Sequence, residues 1–335
     1  MRKLATIQKI KDLQPIPNAD RIERATVLGW HVVVKKGDFQ VGDYCVYCEV
    51  DSLLPEKPEF EFLRSRHFRI KTIRLRKQIS QGIAFPISIL DGYEGVEIKE
   101  GVDVADLIGV KKYEPPRPIS MGGNVKGSFP GFIPKTDEMR IQSVPDVLTR
   151  SENRGKRCYI TEKVDGTSAT YYVRDDEFGV CSRNLELRES ENNIHWIAAR
   201  KYDVETRLRN AGQNVALQAE IIGPKIQTNK YALTEPRLMV FNLFDIDAYA
   251  YVDYEGFVAF VGKLGLETPP ILRDDYTLGE DDVDGLVQMS QGASVLNPKT
   301  PREGIVVRSV VEARDPEIGR LSFKVINPEF LLKFG

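Results

Sequence analysis

Residues 215–223, Val-Ala-Leu-Gln-Ala-Glu-Ile-Ile-Gly, read as an apolar strand with one acid, Glu220, set inside it. Residues 238–246 repeat the design with an aromatic, Phe244, beside Asp245, and residues 303–308, Glu-Gly-Ile-Val-Val-Arg, do so a third time. A carboxylate in such a run costs free energy unless it is paired, hydrogen-bonded or coordinated to a metal. The fold must therefore give these strand-borne acids cations to face. Residues 321–327, Leu-Ser-Phe-Lys-Val-Ile-Asn, close the series with Lys324.

Upstream, Lys163-Val164-Asp165-Gly166-Thr167-Ser168 ends another strand-like run. Positions i and i+2 of a strand share a face, so the amine of Lys163 and the carboxylate of Asp165 are expected side by side. Gly166 lets the backbone turn sharply or approach a ligand closely. An ammonium has no lone pair, so a nucleophilic lysine needs burial, neighbouring positive charge or a metal to lower its pKa. Alone, K-x-D-G occurs in many surface hairpins. Order makes it specific: Ser182-Arg183-Asn184 follows one hairpin later, and the acid-bearing strands and Lys324 come after it.

This ordered set resembles the covalent nucleotidyltransferase superfamily of polynucleotide ligases and mRNA capping enzymes, from near Pro134 to the end of the chain. The resemblance implies that Lys163 attacks the α-phosphate of a nucleoside triphosphate, forms a lysyl phosphoramidate and expels pyrophosphate. Asp165, Glu220 and Glu303 would then hold magnesium or manganese, directly or through its waters, since a hard cation prefers oxygen ligands. With Lys163 and Lys324 they make up the implied catalytic set. Arg183, Arg308 and Lys324 would supply the fixed positive charge that phosphoryl-type transfer demands. Phe244 is the implied platform for the purine, with Val306 on its opposite face. The backbone around Glu162 would read the base edge, Glu220 would touch the ribose, and Ser168 belongs to the same nucleotide site. Arg140 and Gln142 stand where such ligases place substrate contacts. One departure is visible: many members carry two lysines two apart in the last motif, but Ile326 stands where the second would fall. The second phosphate contact is left unassigned.

The N-terminal third differs in texture. Residues 4–10, 24–28, 30–34, 44–50, 68–75 and 83–87 are short β-branched or aromatic runs separated by Pro15-Ile16-Pro17-Asn18, Gly37-Asp38 and Gly42-Asp43. Strands at that spacing point to a small β-barrel, and an OB fold is the natural candidate for a nucleic-acid enzyme. Arg64, Arg66, His67, Arg69, Lys71, Arg74, Arg76 and Lys77 concentrate positive charge in a chain whose net charge is −2. Parity slips between Arg69/Lys71 and Arg74/Arg76, so a bulge near Thr72-Ile73 is expected to keep them on one surface that can follow a phosphate backbone.

The expected architecture is thus two domains: an all-β OB-fold barrel over 1–113, a Pro- and Gly-rich linker over 114–128, and an α+β adenylyltransferase domain over 129–335 with antiparallel sheets. Helices are expected at 191–210, 254–264 and 282–290, each running into Gly212, Gly265 or Gly292. Cys45, Cys48, Cys158 and Cys181 suit buried thiols better than a disulfide or zinc framework. No run approaches the ~20 apolar residues that cross a bilayer, and the start lacks an apolar signal region, so a cytoplasmic or otherwise intracellular protein without membrane contact is the default. A monomer is expected.

Domain order then separates the reactions. Capping enzymes and most DNA ligases place the OB domain after the last motif, whereas this chain puts its barrel first and ends eight residues beyond Asn327. That arrangement is similar to the ATP-dependent RNA ligases with an N-terminal OB domain, as are Asn18-Ala19-Asp20-Arg21-Ile22-Glu23, Gly42-Asp43-Tyr44 and Pro134-Lys135-Thr136-Asp137-Glu138. The expected activity uses ATP and magnesium to join RNA 3′-hydroxyl and 5′-phosphate ends, sealing nicks in duplex. A GTP-using capping-type transferase and a non-enzymatic nucleic-acid-binding protein remain as alternatives.

Overall fold

The computed structural model describes residues 2–114 and 124–335, and the described residues fall into two units. One holds residues 2–114, 141–145 and 328–335; the other holds 124–140 and 146–327. Residues 115–123, the centre of the expected linker, lie outside the described residues. Val125–Ser128, its expected last part, form a strand of the second unit.

The first unit is built by β1 (Ala5–Pro15), β2 (Ile22–Val27), β3 (Trp30–Lys35) and β4 (Tyr44–Cys48), then β5 (Ser52–Leu53), β6 (Ile73–Leu75), β7 (Gln78–Ser80), β8 (Ile83–Pro86) and β9 (Lys111–Lys112). Its main sheet runs in the order β3-β2-β1-β4-β8. β1 pairs with β4 over Ala5 to Lys9 and with β2 from Ile10 to Pro15, and its register to β2 shifts between Ile10 and Asp12. A bulge there bends the strand, so one strand serves two partners and the sheet curls. The Gln81 N–H donates to the His31 carbonyl at 2.9 Å and the Val33 N–H to Ser80 Oγ at 2.9 Å, tying β3 to the approach to β8. Trp30, Tyr47, Phe60 and Ile7 fill the core. A short helix, α1 (Ala105–Ile108), and the C-terminal helix Pro328–Phe334 add to this otherwise β unit.

The basic segment is organised differently from the expectation. Residues 58–66 form a 3-10 helix, His67 and Phe68 are left-handed, and only Ile73–Leu75 is strand, in a hairpin turning at Arg76 and Lys77. No bulged strand over 68–75 exists, because the parity slip is taken up by the helix, a coil and the hairpin. Three of its seven Lys and Arg charges are already paired: Arg64 bonds Glu61, Arg69 bonds Asp51 and stacks on Tyr113, and Arg74 bonds Glu329. Lys71 Nζ donates to the Gly335 carbonyl at 3.2 Å.

In the second unit the strands are β10 (Val125–Ser128), β11 (Met139–Arg140), β12 (Arg157–Lys163), β13 (Thr167–Arg174), β14 (Glu177–Cys181), β15 (Leu185–Leu187), β16 (Val215–Ile222), β17 (Arg237–Asp245) and β18 (Ala250–Tyr251). They are followed by β19 (Ile271–Thr277), β20 (Gly304–Ser309), β21 (Arg314–Asp315), β22 (Gly319–Arg320) and β23 (Ser322–Ile326). One sheet has the order β10-β15-β14-β13-β16-β17-β18 and another β11-β23-β20-β12-β19. All pairs in these two sheets are antiparallel except β11 with β23, which is parallel. The helix expected over 191–210 is two, α2 (Ile194–Lys201) and α3 (Val204–Ala211), because Asp203 between them sits at φ 46°. α4 (Tyr254–Lys263) and α5 (Val283–Ser290) fall where the glycine stops placed them, and the Asp282 side chain caps α5 by accepting from the Gly285 N–H at 2.8 Å. Among the described residues no helix is long and apolar enough to cross a membrane.

All four cysteines are buried free thiols, and burial pushes Cys45 and Cys158 up to about 12. His195, 1% exposed at the start of α2, lies 3.1 Å from the Ser168 carbonyl through Nε2, and burial pushes its pKa down to about 4. The unfolded chain therefore takes up this proton first: the stabilising contribution is complete above the ordinary value of about 6.5 and is lost as pH falls toward 4. Urea midpoints measured between pH 7 and 5 should decline in the wild-type protein and decline less in His195→Gln; equal slopes would show that His195 does not resist protonation.

Candidate active site

Two in-register rows of residues, one on each sheet of the second unit, build a cleft of about 300 Å³. On the five-stranded sheet Arg140, Lys324, Val306 and Thr161 stand opposite one another across β11, β23, β20 and β12. On the seven-stranded sheet Ser168 pairs with Glu220, which pairs with Met239. Lys163 ends β12 opposite Gly304. A Cβ at Gly304 would lie 2.1 Å from the Val325 carbonyl oxygen, and one at Gly166 would lie 2.3 Å from that of Ile221, so both glycines are required by backbone approach.

Opposed charges set the electrostatics. Lys163 Nζ donates to Glu303 Oε1 at 2.7 Å. Burial favours the neutral amine, but the negative charges of Glu303, Glu220 and Asp165 outweigh it and hold the pKa above the ordinary lysine value. Burial, reinforced by Glu303 and Asp165 and opposed by Lys163, pushes Glu220 up to about 8. Lys324 is pushed down to about 8 by burial and by the charges of Lys163 and Arg140. Glu138, buried beside Arg308, Lys324 and Arg320, stays below its ordinary value because those cations outweigh desolvation.

Most residues expected from sequence meet here. Glu162, Lys163, Ser168, Arg183, Glu220, Val306, Arg308 and Lys324 line the cleft, and Glu303 reaches it through Lys163. Four expectations need correction. β12 stops at Lys163, so strand alternation does not extend to Asp165; its carboxylate turns to the Lys230 ammonium, and its N–H donates to the Tyr231 hydroxyl at 2.7 Å. Arg308 is 3% exposed and fixed by Glu138 at 2.8 Å, so it forms a wall of the cleft rather than an open charge. Gln142 belongs to the first unit, in a turn whose carbonyl accepts from the Gly29 N–H at 2.8 Å, and it does not line the cleft.

The fourth correction concerns the aromatic. Phe244 is buried in a cluster with Tyr172, Ile133 and Ile246 and has ring contacts with Tyr249 and Tyr251. Phe241 lines the cleft instead, with the Arg308 guanidinium 5.5 Å from its ring. Ala219 pairs with Val240 and Gln218 with Asn242, which leaves Phe241 as the extra residue of a β-bulge. A bulge re-aims a side chain. Counting alternation from Glu220 cannot find such a shift, and no turn residue marks it. Lys230, Tyr231 and Gln227, whose Nε2 donates to the Gly166 carbonyl at 3.1 Å, were also hidden, in the segment between β16 and β17.

The carboxylates suit a divalent cation. Glu303 Oε2 is buried without a hydrogen-bond partner, and Glu220 is held against ionisation by burial and then by its acidic neighbours, a penalty that added positive charge relieves. Among the described residues no three acidic, His or Cys side chains close into a direct ligand set.

Comparison with known proteins places these features. A family model described as RNA ligase matches residues 156–326, and an OB-fold domain model matches residues 4–87. An apo aspartate-to-alanine mutant of Naegleria gruberi RNA ligase is similar at 36% identity and TM-score 0.89, over 99% of this chain and 98% of that one. A lysine-to-alanine mutant of the same ligase with ATP and Mn, and the ligase with PPi, each give 36% identity and TM-score 0.88 over 99% of both chains. No match was found among curated proteins.

The two aromatics should separate cleanly. Phe244→Ala should lower unfolding free energy by about 3–5 kcal/mol, as core Phe truncations do. Phe241→Ala should leave stability near wild type and weaken ATP binding by the ~1–3 kcal/mol typical of base stacking. Titration calorimetry with parallel urea melts checks both, and the reverse pattern would restore Phe244 as the platform.

Proposed function

Because the chain belongs to the RNA ligase family, we propose that it joins RNA 3′-hydroxyl and 5′-phosphate ends through a lysyl adenylate on Lys163, with ATP as the AMP donor and nicked duplex as the preferred substrate. The observation that carries the reading is Lys163 itself, half-buried at the edge of a polar cleft and bonded to Glu303 at 2.7 Å. In the first step the Lys163 ammonium loses a proton, for which Glu303 Oε1 is the acceptor already in place. The freed lone pair forms the N–P bond to the α-phosphorus while the bond to the bridging oxygen breaks and pyrophosphate leaves. A 5′-phosphate oxygen of the nucleic acid then attacks that phosphorus, and the nitrogen departs and regains its proton. Finally the 3′-hydroxyl oxygen attacks the 5′-phosphorus, its proton is lost and AMP leaves.

Glu220 and Glu303 would hold the metal with its waters, and Asp165 would join them only on leaving Lys230; the metal would supply positive charge that favours the neutral amine and offsets phosphate charge. Phe241 and Val306, on different sheets, would flank the base. Glu162 lines the cleft; its buried Oε1 has no partner while Oε2 accepts from the Val295 N–H at 2.8 Å, so Oε1 is an acceptor that an exocyclic amine of a purine would satisfy. Arg140, opposite Lys324 in the paired strand, would stand in for the missing second lysine of the last motif. In the first unit, Arg66, Arg76 and Lys77 have no ion-pair partner among the described residues, and together with His67 they offer charge to a phosphate backbone.

Incubation with α-labelled ATP and magnesium should label the protein, α-labelled GTP should not, and Lys163→Ala should abolish the label; equal labelling of wild type and variant would end this reading. On nicked duplexes with RNA or DNA on either side of the break, the sealing rate should be highest where the 3′-hydroxyl strand is RNA. A preference for a DNA 3′-hydroxyl would overturn the substrate assignment while leaving the lysyl adenylate intact.

A further inference from the structure

We propose that Asp137 is an affinity-setting residue: its carboxylate occupies the Arg183 guanidinium at the cleft and must release it before a phosphate can bind there. The inference rests on the reading above, in which Arg183 contacts phosphate. The segment 134–138 runs from one sheet to the other along the cleft. Gln218 Nε2, from the seven-stranded sheet, donates to the Pro134 carbonyl at 2.7 Å, and Lys135 Nζ donates to Asn184 Oδ1 at 3.2 Å. Arg183 then donates to Asp137, and Arg308, from the five-stranded sheet, donates to Glu138 at 2.8 Å. Thr136, Asp137 and Glu138 all line the cleft. Two adjacent carboxylates thus cover two guanidiniums of the same site.

Burial separates their roles. The side chains of Arg308 and Glu138 are 3% and 14% exposed, whereas those of Arg183 and Asp137 are 53% and 55% exposed. Breaking the buried pair leaves an uncompensated charge away from water, which shifts an equilibrium by orders of magnitude. Breaking the exposed pair shifts it by about fivefold at most. Glu138 is therefore a permanent clamp, while Asp137 is a competitor that a multiply charged phosphate displaces. The ligand is a phosphate group, either in the triphosphate of ATP or at the 5′ end of a nucleic acid, and binding assays with each distinguish the two.

Equilibrium binding of ATP, pyrophosphate and a 5′-phosphorylated nicked RNA duplex is measured on the full chain for wild type, Asp137→Asn, Asp137→Ser, Arg183→Ala and Asp137→Asn/Arg183→Ala. Removing the competing charge should tighten the ligand that uses Arg183 by about two- to fivefold at low salt. The gain should shrink as salt screens the exposed pair. It should vanish in the double variant, which binds like Arg183→Ala. If Arg183→Ala weakens binding but neither Asp137 variant tightens it, Asp137 positions the guanidinium and the competition is refuted. If Arg183→Ala binds every ligand as wild type does, the phosphate role of Arg183 fails first. The isosteric Asn and the smaller Ser guard against a packing effect at one substitution, since melting curves for both should overlay the wild type.

Discussion

The pairing of Lys163 with Glu303 governs the charge balance of the cleft. A lysine drawn out of water tends to lose its proton, yet here three carboxylates keep it charged. Burial, reinforced by the same crowding, lifts Glu220 to about 8, while burial and then the cations beside it bring Lys324 down to about 8. Negative charge gathers around Lys163 and positive charge around β23. That polarity suits a reaction in which a cation must meet the carboxylates and phosphate oxygens must meet the basic row.

Geometry makes this balance possible through backbone contact. Gly304 sits against the Val325 carbonyl and Gly166 against that of Ile221, so the carboxylate and lysine strands lie as close as main chains permit. Larger residues would push β20 from β23 and the Asp165 turn from β16. The parallel pairing of β11 with β23 serves the same end, since it sets Arg140 next to Lys324 without a hairpin between them. Both strands pass directly into segments that belong to the first unit, residues 141–145 and 328–335.

Much of this was legible from residue order. Acids inside apolar runs need partners: Glu220 and Glu303 share one polar site with Lys163 and Lys324, whereas Asp245 ends its strand and accepts from the Ala248 N–H. Glycine stops located α4 and α5 because a left-handed terminus is a local requirement. Period-two counting failed where the backbone departs from period two. The end of β12 at Lys163 turned Asp165 toward Lys230, and the bulge at Phe241 sets that ring in the cleft lining where the resemblance had implied Phe244. Tertiary partners were equally invisible: nothing near Gln142 signals that its carbonyl accepts from Gly29, more than a hundred residues away. The basic run in the first unit had the right composition for a strand, but left-handed residues at 67, 68, 76 and 77 divide it into helix, coil and hairpin.

The thiols carry a practical corollary. Cys45, Cys48, Cys158 and Cys181 are all inside the protein, with their ionisation suppressed by burial. Thiolate is the reactive form, so oxidative cross-linking between copies has no surface sulfur to start from. One cysteine introduced on the exterior would therefore carry a fluorophore without background labelling, and nucleotide entry could be followed optically from a chosen position.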